Sequence, residues 1–325
     1  MSVDYLSSPT DRGDVFVSDF LDGAFRLALK SFALSTFGTS WSSMQSLPGT
    51  FIAQRERNDD AGKETVITHD MGHTWSTSSV QVLQGADTIL GTPIAPKGVT
   101  GLIAGLGQFA TSLDPQREVQ TVVSRDAGLT WSPVLGTPHA LGAPDYGNPF
   151  IAIPMHTDFS EVRISTDEGL TWTSVSLNLN QTIRLSQLWK LSNTRFLIAG
   201  TNVLEDTETE TLLVSVDVAP APRVCTDDDY EIFRPAVCIL GLNETYRRRK
   251  PSSNCNIDTA TFNRVVSSVP CPCERRDFGC SECYQPSVDD PLTCVPVPSK
   301  DCSSAAPLFS LFHFLNPFPR SMRKL

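Results

Sequence analysis

Up to about residue 218 the chain is a series of short apolar runs, rich in β-branched and aromatic residues, separated by Gly, Pro, Asp and Ser. DVFVS, TFIAQ, ETVITH, VQTVVS, EVRIS, RFLIAG and TLLVSV each have the length and residue types of a strand. Several alternate: in EVRIS, Val162 and Ile164 are apolar while Arg163 and Ser165 are polar, the period of a strand with one buried face. No segment carries a long helical period, so the pattern predicts an all-β protein. A Pro-rich joint, APAPR, follows at Ala219 to Arg223, and the composition changes there. The predicted division is residues 1–218, a second unit at 219–302, and a disordered tail at 303–325.

One pattern recurs three times. Thr68-His69-Asp70-Met71-Gly72-His73-Thr74-Trp75, Ser124-Arg125-Asp126-Ala127-Gly128-Leu129-Thr130-Trp131 and Ser165-Thr166-Asp167-Glu168-Gly169-Leu170-Thr171-Trp172 share [Ser/Thr]-x-Asp-x-Gly-x-Thr-Trp. A degenerate copy ends at Trp41, keeping Gly38 but with Thr36 at the Asp position. The tryptophans of the three full copies are 56 and then 41 residues apart, close to the length of a four-stranded unit, which predicts propeller blades. Each copy follows an apolar run, so it falls where a strand turns back. Asp70, Asp126 and Asp167 can accept hydrogen bonds from their own turns, Gly72, Gly128 and Gly169 permit a positive φ, and Trp75, Trp131 and Trp172 open the return strand as packing anchors. An Asp whose oxygens are so occupied is a poor general acid, so these positions read as structural.

All nine cysteines lie between Cys225 and Cys302. Such a density predicts a disulfide-stapled module in an oxidising compartment, and the odd number leaves at least one thiol without an intrachain partner. Cys271, Cys273, Cys280 and Cys283 form C-x-C-x6-C-x2-C, which could instead hold a tetrahedral zinc, but the other five cysteines would then have no role. The balance of 26 basic and 36 acidic residues, −10 in all, argues against nucleic acid as a partner. The opening MSVDYLSSPTDRGD does not read as a secretory signal. The most apolar stretch, Leu308 to Leu315, is broken by His313 and well short of the roughly 20 residues that a membrane span needs.

The three repeats are Asp-boxes, and the segments around them resemble the luminal domain of the sortilin family of sorting receptors. Val15 to Asp19, Gly23 and Phe25, Ser46-Leu47-Pro48-Gly49-Thr50-Phe51-Ile52-Ala53, Gly101-Leu102-Ile103-Ala104-Gly105, Gly136-Thr137-Pro138-His139 and Asp145-Tyr146-Gly147-Asn148 occur in the family's order. So do Cys225-Thr226-Asp227-Asp228-Asp229-Tyr230, Cys238-Ile239-Leu240-Gly241, Tyr246-Arg247-Arg248-Arg249-Lys250-Pro251, Cys255, Cys271-Pro272-Cys273 and Asp277-Phe278-Gly279-Cys280. The resemblance covers about residues 13 to 302. It implies a partial β-propeller, the later blades of a ten-bladed ring, followed by most of a ten-cysteine module, as a fragment of a longer receptor or a mispredicted gene. The match departs from the family: its earlier blades are absent, residues 77–100 lack a cysteine, Cys283 is extra, and beyond Cys302 the family pattern stops, with the module's last cysteines missing.

The resemblance further implies that Cys225, Cys238, Cys255, Cys271, Cys273, Cys280, Cys283, Cys294 and Cys302 are candidates for disulfides. It also implies a ligand-binding domain for peptide or protein cargo in the secretory pathway. Cargo would travel between Golgi and endosome or vacuole, with no covalent chemistry, cofactor or metal, and with membrane attachment only through a span outside this chain. Release in acid would call on histidines such as His139 or His156. Sequons at Asn180 and Asn243 are candidate glycan acceptors. The basic run Arg247, Arg248, Arg249 and Lys250 reads as a solvated loop beside Asp227 to Asp229. The rival readings are an Asp-box glycoside hydrolase and a secreted structural propeller. The chain has neither an H-E-x-x-H nor a G-x-S-x-G motif, and Phe233-Arg234-Pro235 only faintly resembles a sialidase motif in the wrong place.

Overall fold

The computed structural model describes residues 12–18, 25–35, 38–39, 41–57, 62–83, 93–114, 116–203, 209–218, 223–239, 241–258, 264–272, 284–289 and 293–297. Most of the predicted joint, 219–222, and the tail, 303–325, lie outside them. Strands dominate; among the described residues the only helical element is the short 3-10 turn Asp227–Asp229. No helix among the described residues is long and apolar enough to cross a membrane.

Four antiparallel sheets follow one another along the chain. The first contains Arg12–Ser18, Phe25–Ser35, Phe51–Glu56, Lys63–Thr68 and Ser76–Thr77 in that order, with Trp41–Ser43 pairing Phe51–Glu56 and Gly38–Thr39 pairing Phe25–Ser35. The second runs Gln81–Val82, Ile103–Gln108, Gln120–Ser124, Ser132–Leu135, and the third His139–Gly142, Phe150–Pro154, Glu161–Ser165, Thr173–Ser176. These two are simple four-stranded meanders, the blade expected from the repeat spacing. The fourth departs from it. Its strands Ile183–Lys190, Arg195–Val203 and Thr209–Asp217 are joined at the free edge by Asp158–Phe159, a two-residue excursion from the third sheet's own hairpin.

The sheets stack face to face, each sharing an apolar core with the next. Ile52 and Ile67 of the first meet Val82, Ile103 and Val122 of the second; Val123 meets Phe150 and Trp172 of the third. Ile151, Ile153 and Val162 of the third meet Ile183, Phe196 and Ile198 of the fourth. This nearest-neighbour stacking is what blades of a propeller do. A three-stranded sheet, Tyr230–Phe233, Leu242–Arg249 and Val265–Pro270, leans on the stack, its Phe233 and Tyr246 entering the core between the first and second sheets. The fold is thus a partial propeller with a disulfide-bearing module docked on it.

The basic run is not a solvated loop. Arg247–Arg249 lie on the strand Leu242–Arg249, and Arg249 is only 2% exposed. The reason is long-range: propeller carbonyls, unsatisfied by any strand ladder, accept the guanidinium hydrogens, as described below.

Candidate functional site

Each repeat is a closed hydrogen-bonded turn between the last two strands of a sheet. The residue after the box Asp and the following Gly both have positive φ: Met71 and Gly72 at 60° and 87°, Ala127 and Gly128 at 66° and 87°, Glu168 and Gly169 at 59° and 83°. Two successive left-handed residues turn the chain sharply. The Asp then fastens it. The amides of Thr74, Thr130 and Thr171 donate to Oδ1 of Asp70, Asp126 and Asp167 at 2.9, 2.8 and 2.8 Å, and the hydroxyls of the same threonines donate to Oδ2 at 2.6, 2.5 and 2.6 Å. The hydroxyls of Thr68, Ser124 and Ser165 donate to Oδ1 while accepting the amides of Gly72, Gly128 and Gly169. For Asp167, burial pushes the carboxyl up, but the bonds from Thr171, Ser165 and Leu170 together outweigh it, and its pKa is lowered.

The indoles close the turns from the other side. Nε1 of Trp75, Trp131 and Trp172 donates to the carbonyls of Gly72, Gly128 and Gly169 at 3.1, 3.0 and 3.1 Å. The second and third turns also lean on the preceding sheet: a Cβ placed on Gly128 would come 2.6 Å from Ile67 Cδ1 and on Gly169 3.7 Å from Val123 Cγ2, while on Gly72 it would come 3.1 Å from Ala28 Cβ on the strand Phe25–Ser35 of its own sheet. A second fastening joins the first sheet to the second and the second to the third. Thr65 Oγ1 accepts the Val82 amide and donates to the Val82 carbonyl, and Thr121 Oγ1 accepts the His139 amide and donates to the Thr137 carbonyl. Sequence reasoning missed these threonines. The signal was present, since both stand five residues before a box Asp; Val162 takes the place in the third copy.

In the module, Cys225 is bonded to Cys255 and Cys238 to Cys271. Cys271 is therefore no free thiolate for a zinc site. Cys273, Cys280, Cys283 and Cys302 lie outside the described residues, and Cys294 begins the strand Cys294–Pro296. Asp229 accepts both guanidinium arms of Arg223 and the amide of Thr226; with Arg223 the largest influence, its carboxyl is held far below the usual range. Arg247 pairs with Asp227, and its guanidinium lies 4.1 Å from the centre of the Tyr230 ring. Lys250 donates to the Asp228 carbonyl.

The docking seam is built from arginines that meet backbone carbonyls. Arg248 donates to the carbonyls of Thr100 and Arg125 at 3.0 and 2.7 Å, pairs with Glu231 at 2.7 Å, and stacks 4.2 Å over Phe233. Arg249 donates to the Tyr146 carbonyl at 2.9 Å and to that of Cys255 at 3.0 Å. Its Nη2 is 3.9 Å from Oε1 of Glu168, a carboxyl in the third box turn that is also only 2% exposed. Arg125, from the second box turn, donates to the carbonyl of Glu168. Burial pushes the Glu168 carboxyl up to about 7, against the pull of Arg249, Arg125 and Arg248.

The two histidines named for acid release differ in their surroundings. His139 is 3% exposed, with Nδ1 2.9 Å from the Thr137 carbonyl, and burial lowers its pKa; His156 is exposed in the turn after Phe150–Pro154. His69, which the sequence did not single out, is buried beside Thr50 Oγ1 and is likewise lowered by burial, against Asp70 and Asp126. Asn180 is exposed in the link between Thr173–Ser176 and Ile183–Lys190, and Asn243 is exposed on Leu242–Arg249.

Residues 1–188 match the family described as "Sortilin, neurotensin receptor 3", and residues 190–308 match "Sortilin, neurotensin receptor 3, C-terminal". The chain is similar to a vacuolar protein sorting/targeting protein 10 of Lodderomyces elongisporus, 32% identical over 92% of this chain and 23% of that protein. It is also similar to a sortilin-related receptor of Oryctolagus cuniculus, 25% identical over 93% of this chain and 16% of that protein. A xyloglucanase from Xanthomonas campestris overlays 66% of this chain and 37% of its own with a TM-score of 0.34 and 8% identity, too slight a likeness to argue from. The chain thus spans under a quarter of the relatives it matches. With both family regions matched in order and box turns stacked under a docked disulfide module, the chain belongs to the sortilin family.

Proposed function

We propose that this chain is the ligand-binding luminal part of a sortilin-like sorting receptor, which carries peptide or protein cargo between the Golgi and the endosome or vacuole. The observation that carries the reading is the ordered match of both family regions over residues 1–188 and 190–308. In this reading the longer parent is membrane-anchored and the chain faces the lumen. Residues 1–218 form propeller blades and 219–302 the cysteine-rich module, with the family match running on to residue 308. Asp70, Asp126 and Asp167 with their glycines and tryptophans hold turns, as their fully engaged carboxylates support. Cys273, Cys280, Cys283, Cys294 and Cys302 contribute further bridges and one unpaired thiol, and Asn180 and Asn243 carry glycans.

The test is binding. The chain, secreted with its disulfides formed, is immobilised and offered fluorescent propeptides of vacuolar hydrolases near neutral pH and again in acid. Saturable binding near neutrality that is lost in acid supports the proposal; indifference to every propeptide overturns it. A fluorogenic sialoside assayed in parallel should give no turnover. Turnover abolished by changing a carboxylate would favour the hydrolase instead.

A further inference from the structure

The position between the box Asp and the box Gly holds Met71, Ala127 and Glu168 in the three copies, all left-handed. Only the third is ionisable. The turn sends its side chain into the seam beneath the cysteine-rich module, where charged groups from several elements face it. Arg249 and Arg248 come from Leu242–Arg249, Arg125 from the second box turn, and Glu231 from Tyr230–Phe233. Asp167 in turn faces Arg125, and Tyr230 and Asp229 face Arg249. Even so, Glu168 Oε1 has no hydrogen-bond partner among the described residues, nor do Arg125 Nε and Arg249 Nε.

A carboxyl so placed has two states of similar cost. Ionised, it attracts Arg249 but has lost its water; neutral, it is cheap to bury but leaves the arginines uncompensated. We infer that the module seats on the propeller sheets with uptake of one proton at Glu168, so that acid tightens this seam and alkali loosens it. The inference stands on the seam itself and not on the receptor reading. Burial, the largest influence, raises the carboxyl from 4.5 to about 7 in the seated state. For an acid raised on docking, the stabilisation is complete below about 4.5 and is lost as pH rises through about 7. Between about pH 8 and about pH 5 the seating equilibrium should shift on the order of 50-fold.

The test uses the full oxidised chain. Hydrogen exchange at the guanidinium protons of Arg248 and Arg249, which donate across the seam to Thr100, Arg125 and Tyr146, should show protection, corrected for intrinsic rate, rising by tens of fold from about pH 8 to about pH 5. Glu168→Gln keeps the shape, and Glu168→Ala copies the residue that the second turn already tolerates; in both, this rise should vanish. In the wild type, carbon NMR of the glutamate carboxyls should show one titration near neutrality that Glu168→Gln removes. Protection that is flat with pH in the wild type, an unchanged rise in both variants, or glutamates that all titrate in the ordinary range would each overturn the inference.

Discussion

Replacing a box glycine by alanine separates two costs that the stacked turns combine. Gly128 and Gly169 have nearly the same φ, 87° and 83°, so an added methyl meets the same left-handed penalty in both, about 1 to 2 kcal/mol. They differ in what the methyl would touch. At Gly128 it would come 2.6 Å from Cδ1 of Ile67, a fully enclosed side chain of the first sheet, whereas at Gly169 the nearest atom is Trp172 Cζ2 at 3.3 Å and Val123 is at 3.7 Å. Forcing Ile67 aside in a packed core adds about 1 to 3 kcal/mol. Gly128→Ala should therefore be less stable than Gly169→Ala by about 1 to 2 kcal/mol, roughly 1.5 to 3 °C in midpoint for a protein of this size. Scanning calorimetry of the oxidised chain measures both variants under one condition. If Gly169→Ala proved equally or more damaging, the claim that the second turn is pressed against the preceding sheet would be wrong.

Other outcomes follow from the same contacts. Reducing the Cys225–Cys255 bridge, which closes a separation of 30 residues, should cost roughly 3 to 4 kcal/mol, read as a lower midpoint with reductant or in a Cys225→Ser/Cys255→Ser double variant. Because Asp167 is lowered in the fold, its contribution is present above about 3.8 and lost as pH falls below that value; acid unfolding of Asp167→Asn should show a shallower loss there than wild type. Arg249→Met would strand Glu168 and the Tyr146 carbonyl, costing about 3 kcal/mol above neutrality and less in acid, where the carboxyl accepts a proton; urea titrations at two pH values decide it. Asn180→Gln, expressed through a secretory pathway, should abolish one glycosidase-sensitive mobility shift on gels.

The box turns were readable because everything that makes them is local. The partners of Asp126 are Ser124 and Thr130, within four residues of it, and the Gly-Trp contact spans three. Blade length could be read too, from the spacing of the tryptophans. What could not be read was anything joining distant parts of the chain. Arg248 reaches the Arg125 carbonyl across 123 residues, and Arg249 reaches Tyr146 across 103, so a run of four basic residues looked like a solvated surface. Glu168 drew no reading from the sequence for the same reason. The two-residue strand Asp158–Phe159 has too little sequence to announce that it pairs with Ile183 and Arg184. Local hydrogen bonds leave a pattern in sequence; burial contributed by a remote segment does not.

The arginines and Phe233 of the module grip loops and core belonging to the first three sheets, from Ile52 and Ile67 through Thr100 and Arg125 to Tyr146. The sheet of Ile183–Lys190, Arg195–Val203 and Thr209–Asp217 draws its support from its neighbour. An array joined only between adjacent layers comes apart from its least braced end. Thermal breathing should accordingly start in that last layer and advance towards the amino terminus, halting where the clamp begins, so that one end of the stack serves as hinge while the other stays a rigid block.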